Sequence, residues 1–162
     1  MFADQEKPRL KLNPTQALAK AESYCAYQER SQQEVRDKLY QWGLWSEAVE
    51  EIISKLINAN YLNEERFAKA FAGGKFRIKK WGRIKIKLEL KRKRVSDYCI
   101  KQALKEIDET AYLQTIQKVL EEKMRKTKNK NPIKLNYLMG QYAISRGFEA
   151  DLVWEVLKSM SN

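Results

Sequence analysis

Seven apolar positions recur three times along the chain with the same internal spacing. Val35, Leu39, Leu44, Val49, Ile52, Ile53 and Leu56 form the first set. Ile86, Leu90, Val95, Ile100, Ala103, Leu104 and Ile107 form the second, 51 residues on, and Met139, Ala143, Phe148, Val153, Val156, Leu157 and Met160 the third, 53 residues further. No gap is needed inside a set, and all 21 positions are apolar in a chain that is 43% apolar. A fixed period of this length marks a repeat protein, in which each unit buries one face against the next. The pattern predicts an all-α chain of three tandem three-helix repeats forming an elongated, curved body, with a long surface rather than one deep pocket. Its boundaries are a flexible N-terminal arm over 1–14 and repeats over 15–60, 61–108 and 109–162. Repeats of about 50 residues are marginal alone and must lean on one another.

Local signals place the helix ends. Asn13-Pro14 and Asn131-Pro132 each pair a capping side chain with proline at the first helical position. Ser31-Gln-Gln-Glu34 is a capping box. Ser46, Asn63 and Ser96 read as further caps, and Glu64 and Glu65 suit the positive end of the helix that Asn63 opens. Gly43 and Gly147 read as stops. Gly73-Gly74 is expected to weaken or bend the first helix of the middle repeat. A third-repeat helix begins near Thr110, and Lys123 to Lys130 reads as a lysine-rich connection.

One segment is ambiguous. From Arg83 to Lys91 polar and apolar residues alternate strictly, as in a strand. A lone strand would lack a partner in a helical chain, and Ile86 and Leu90 align with Val35 and Leu39 of a capped helix. The segment is therefore read as a helix, apolar along Ile86/Leu90 and also along Ile84/Leu88, as for an element packed between two neighbours.

Charge sharpens the picture. The net charge is +11, yet residues 75–94 hold 11 basic residues and one acid, Glu89, for a net +10. Such focusing points to a polyanionic or acidic partner. Phe76 and Trp81 lie among these cations, and cations beside aromatics suit nucleic-acid contact, although Trp81 serves equally as a core side chain at a helix junction. DNA, RNA and an acidic protein groove remain open as targets on these grounds.

Catalysis finds little support. The chain has no His, which removes the commonest general base and metal ligand. Gly73-Gly74 lacks the Gly-Lys-Ser/Thr ending of a phosphate loop, and the adjacent acidic pairs diverge on a helix surface. Cys25 and Cys99 lie among apolar neighbours and read as small core residues. No apolar run approaches the ~20 residues of a membrane span, and Met1 to Pro14 lacks a signal-peptide core. A non-enzymatic, cytoplasmic binding protein without cofactor or metal is expected.

Residues 29–39, 61–68 and 82–95 together resemble RecX, the family that regulates the bacterial recombinase RecA. Glu29-Arg30-Ser31-Gln-Gln-Glu34-Val35-Arg36-Asp37-Lys38-Leu39 is similar to the family's Arg-x-Ser-x-x-Glu-Leu-x-x-Lys-Leu. Tyr61-Leu62-Asn63-Glu64-Glu65-Arg66-Phe67-Ala68 is similar to Leu-Asp-Asp-x-x-Phe-Ala. Gly82, Ile86, Leu90, Lys93, Arg94 and Val95 follow Gly-x-x-x-Ile-x-x-x-Leu-x-x-Lys-Gly-Ile, with Arg94 where the family usually has Gly. Asn63 likewise stands in place of the usual Asp.

The resemblance implies nine helices in three units. It also implies an activity in DNA repair and recombination: binding the RecA–DNA filament in its groove and restraining its growth, ATPase and strand exchange. The expected contact surface is Lys75, Arg77, Lys79, Lys80, Arg83, Lys85, Lys87, Lys91, Arg92, Lys93 and Arg94, not all of which one helix can aim the same way. A weaker second surface is Lys123, Arg125, Lys126, Lys128 and Lys130. The expected partners are a RecA-type filament and single- or double-stranded DNA, with the chain acting as a monomer. The alternatives are a stand-alone, sequence-nonspecific nucleic-acid-binding helical protein and an adaptor for an acidic protein surface.

Overall fold

The computed structural model describes residues 11–129 and 131–161. Most of the expected arm, residues 1–10, lies outside the described residues, as does Lys130. Among the described residues there are nine helices and no strand: α1 Pro14–Tyr27, α2 Gln32–Gln41, α3 Ser46–Asn58, α4 Glu64–Lys79, α5 Arg83–Arg92, α6 Asp97–Lys105, α7 Glu109–Lys126, α8 Pro132–Ser145 and α9 Ala150–Met160. None of these helices is long and apolar enough to cross a membrane.

The alternating stretch is helix α5. A helix sets Ile86 and Leu90 one turn apart on one face, and both are fully buried. Nineteen of the 21 recurring apolar positions are buried; Leu104 and Met160 are half-buried. The second apolar side expected of α5 is not buried, because Ile84 is 56% and Leu88 49% exposed. Helix α5 thus packs along one stripe and carries an apolar stripe outward among lysines.

The chain divides into two compact units. The first runs to Phe67 and takes in Lys93–Val95; the second holds Ala68–Arg92 and Ser96 onward. In the first, α1, α2 and α3 pack on one another around Ala17, Ala21, Val35, Leu39, Val49 and Leu56. In the second, α7, α8 and α9 pack together and α5 lies against α6. Phe76 stacks on Tyr112 with ring centroids 5.8 Å apart, and Tyr112 meets Phe148 at 5.3 Å.

Most expected helix ends form. Asn13 with Gln16 and Ser31 with Glu34 make full capping boxes. The Asn63 side chain accepts from the Arg66 N–H at 2.9 Å, and Ser96 and Asn131 cap α6 and α8. Two expectations fail, the Ser46 cap and the Lys123–Lys130 connection. Helix α3 is capped by the Trp45 backbone, so Ser46 is already inside the first turn, and the N-cap makes no side-chain bond. Helix α4 runs through Gly73 and Gly74; a glycine costs a helix only about 1 kcal/mol, and Ala68, Ala72 and Phe76 form a buried stripe across the pair. Helix α7 continues to Lys126, so Lys123, Arg125 and Lys126 lie in its last turn, where cations suit the negative end of the helix dipole.

A close backbone approach positions α5. The Gly82 N–H donates to the Arg146 carbonyl at 2.9 Å, and the Ile84 N–H to the Gly147 carbonyl at 3.0 Å. A Cβ on Gly82 would stand 2.2 Å from the Gly147 carbonyl, so this position admits no side chain. Gly147 adopts φ 95° and Gly43 φ 87°, each just past a helix end. The same register position in the middle repeat is Arg94, which takes φ 59° despite its side chain.

Candidate functional site

The eleven cations of residues 75–94 follow from three local segments. Lys75, Arg77 and Lys79 sit in the last turns of α4, and Arg83, Lys85, Lys87, Lys91 and Arg92 lie on α5. Lys80 follows α4, and Lys93 and Arg94 follow α5. Lys80 and Arg94 both occupy left-handed backbone, at φ 53° and 59°. That conformation costs a residue with a Cβ about 1–2 kcal/mol, yet both turns carry a cation there rather than glycine.

The fold uses these cations unequally. Arg83 is held internally. Its side chain bonds Glu149 at 2.8 Å and also Glu109, and its guanidinium lies 3.8 Å from the centroid of the Tyr112 ring. The Tyr112 hydroxyl accepts from the Arg83 N–H at 3.0 Å and donates to Glu149. Burial, and then the bond to Glu149, push the Tyr112 phenol well above its usual pKa. Burial opposes the Arg83 charge, but its bonds to Glu149 and Glu109 more than offset this and raise its pKa. This cluster anchors α5 and leaves Arg83 poorly placed for an outside ligand.

Four further cations are ion-paired. Lys93 bonds Glu34 at 2.8 Å and Arg92 bonds Glu89 at 2.7 Å. Lys91 lies 3.9 Å from Asp97 and Lys80 3.8 Å from Glu122. The other six, Lys75, Arg77, Lys79, Lys85, Lys87 and Arg94, have no carboxylate partner among the described residues. Two of these are brought together: Lys75 and Lys85 stand 4.9 and 4.5 Å from the Trp81 ring centroid. Half-buried Trp81, supported edge-on by Phe71 at 6.4 Å, holds two ammonium groups in place, an arrangement able to meet adjacent phosphates or carboxylates. Phe76, by contrast, is buried on Tyr112 and is not available for base stacking.

The second expected surface meets the first at Glu122. Lys126 bonds Glu122 at 3.1 Å, on the same carboxylate that Lys80 approaches. Bonding to Lys126, reinforced by Lys80, holds the Glu122 carboxyl below its usual range. Lys123 instead lies 5.2 Å from the Tyr142 ring centroid. Lysines outside both expected sets also matter: Lys101 and Lys105 of α6 face Lys87 and Lys91 of α5 across a groove of about 610 Å³. Their charges fall in a stretch of balanced composition, so only their spacing of four on a helix signals a shared face.

Fold and surface together define a helical-repeat protein with a cation-rich middle repeat. Its family follows from the three repeats taken separately. Residues 17–56 match the first three-helix domain of RecX, 63–104 the second and 110–157 the third, and the chain belongs to the RecX family. Among its relatives, regulatory protein RecX of Prosthecochloris aestuarii is 36% identical over 95 residues, covering 59% of this chain and 63% of that one. Regulatory protein RecX of Lactobacillus johnsonii is 35% identical over 111 residues, covering 68% and 41%. The chain thus spans less than two thirds of the length of each of these curated relatives. The fold is shared with the crystal structure of RecX from Lactobacillus salivarius, at TM-score 0.84 and 22% identity over 91% of this chain and 96% of that one. A second crystal structure of regulatory protein RecX gives 0.82 at 20% identity over 90% and 73%.

Proposed function

We propose that this chain is a negative modulator of a RecA-type recombinase, binding the recombinase–DNA filament and limiting its growth, ATPase and strand exchange. Membership of a family whose curated relatives are named regulatory proteins supports the reading. The observation that carries it to this chain is the set of six cations without carboxylate partners, Lys75, Arg77, Lys79, Lys85, Lys87 and Arg94, concentrated in one segment. Helices α4 and α5 spend buried side chains on folding and leave these charges to an outside polyanion. Three repeats multiply modest contacts, and a filament repeats its own surface, so association is multivalent. The chain acts as a monomer in the cytoplasm, where such filaments assemble, without catalysing a reaction itself.

The test compares affinity for recombinase–DNA filaments, free recombinase and naked DNA, and measures DNA-dependent ATPase with the chain below equal amounts. The filament is expected to bind tightest and its ATPase to fall. The control replaces the recombinase with an unrelated single-strand-binding protein. Equal removal of DNA from both would make the chain a plain nucleic-acid binder. Absence of filament binding at low salt, where charge contacts are strongest, would overturn the proposal.

A further inference from the structure

We infer that the groove between α5 and α6 is a docking site for a short acidic protein segment carrying apolar anchors. Its α5 wall bears Arg83, Lys87 and Lys91, four residues apart on one stripe. Its α6 wall bears Lys101 and Lys105. The floor is apolar, formed by Ile100, Leu104 and Ile107. Leu104 holds a recurring core position, yet it is only half-buried, while its counterparts Ile53 and Leu157 are 3% and 4% exposed. The middle repeat therefore presents to solvent a side chain that the other two repeats cover.

The charges choose the occupant. At one end Lys91 approaches Asp97 at 3.9 Å, and at the other Arg83 bonds Glu109. Those pairs leave Lys87, Lys101 and Lys105 around the floor with no carboxylate partner among the described residues. Arg83 to Lys91 spans about 12 Å at 1.5 Å per helical residue, the length of two helical turns. A continuous phosphate chain entering or leaving would meet Asp97 and Glu109, and the floor offers nothing to sugar or phosphate. A segment of about two turns, with acidic side chains for the lysines and apolar ones for the floor, complements both features.

The test uses the full chain and needs no recombinase, so it fails or succeeds separately from filament binding. A labelled peptide of about twelve residues, with leucines spaced three and four apart among aspartates and glutamates, is titrated by fluorescence anisotropy. Replacing its leucines with serine should weaken binding at least about tenfold, as should Lys101→Glu with Lys105→Glu in the protein. Circular dichroism checks that the double variant stays helical; if it does not, Lys87→Glu on the opposite wall must give the same loss. An oligo-dT of about twelve nucleotides should fail to displace the peptide. Equal binding of the serine peptide, displacement by oligo-dT, or no binding at low salt would each overturn the assignment.

Discussion

Helices α2 and α5 hold the same place in successive repeats and differ in nearly everything except what they bury. Each sinks two side chains four residues apart, Val35 and Leu39 in one, Ile86 and Leu90 in the other, all fully buried. Helix α2 starts with a reciprocal capping box and ends on Gly43 in the left-handed region. Helix α5 instead starts where Gly82 and Arg83 bond Arg146 and Tyr112, and ends on left-handed Arg94. On α2, Arg36 pairs with Glu50 at 2.7 Å; on α5, Lys85 and Lys87 have no carboxylate partner. Two buried residues are enough to seat a helix in this repeat, which leaves its remaining positions open to acquire charge.

Removing the shared part should hurt both helices most. Leu90→Ala and Leu39→Ala should each cost about 2–5 kcal/mol, the sum of lost transfer energy and a cavity, read as a drop in urea midpoint. A negligible cost at Leu90 with a large one at Leu39 would break the equivalence of the two helices.

The unshared part should govern binding. Lys79→Gln, Lys85→Gln and Arg94→Gln together should flatten the log–log dependence of duplex DNA or filament affinity on salt by about 2.7, if each meets one phosphate. The triple Lys91→Gln, Arg92→Gln and Lys93→Gln should change it less, because those cations already have carboxylates in the fold. Equal slopes for the two variants would dissolve the distinction between paired and unpaired cations.

A smaller effect separates the two turns. Arg94→Gly should stabilise the fold by up to about 1 kcal/mol by relieving left-handed strain, while Gly43→Arg should destabilise it by a similar amount. Thermal unfolding would read both, and a loss of stability in Arg94→Gly would show that its side chain supports the fold.

The weakest contrast is in pH. The bond from Arg36 lowers the Glu50 carboxyl, so its contribution is present above the usual carboxylate range and is lost as pH falls through the folded value. The pair is exposed, so the loss should be a few tenths of a kcal/mol, and Glu50→Gln should flatten it. Tyr112 lies the other way. Its raised phenol contributes below its usual value of about 10 and loses that contribution as pH rises beyond it. Tyr112→Phe should flatten the alkaline decline in melting temperature, and an unchanged alkaline limb would separate the hydroxyl from the anchoring of α5.

The part of the fold legible in sequence was the part that repeats. Leu90 could be identified as core because Leu39 and Ala143 stand in register with it, and its strand-like neighbours did not alter that. Ile84 and Leu88 misled for the converse reason: a second apolar stripe on a helix is read as buried, and nothing in the local pattern shows that no neighbour covers it. Gly73-Gly74 marks a weak point in α4 by local propensity, and the buried stripe of Ala68, Ala72 and Phe76 spans it within one continuous helix. At the candidate site the cations were evident from composition. Their division into paired and unpaired was not, because Glu109 and Glu149 lie 26 and 66 residues from Arg83. Pairing at that range is a property of the folded chain and leaves no local mark.

The approach of Gly82 to Gly147 also provides a built-in reporter. The amides of Gly82 and Ile84 are donated to carbonyls of the turn after α8 rather than to their own helix. The first N–H groups of a helix normally exchange with solvent quickly, since nothing intrahelical shields them. Here their exchange requires the start of α5 to lift away from that turn. Hydrogen–deuterium exchange at these two amides therefore measures the free energy of that local opening, independently of global unfolding.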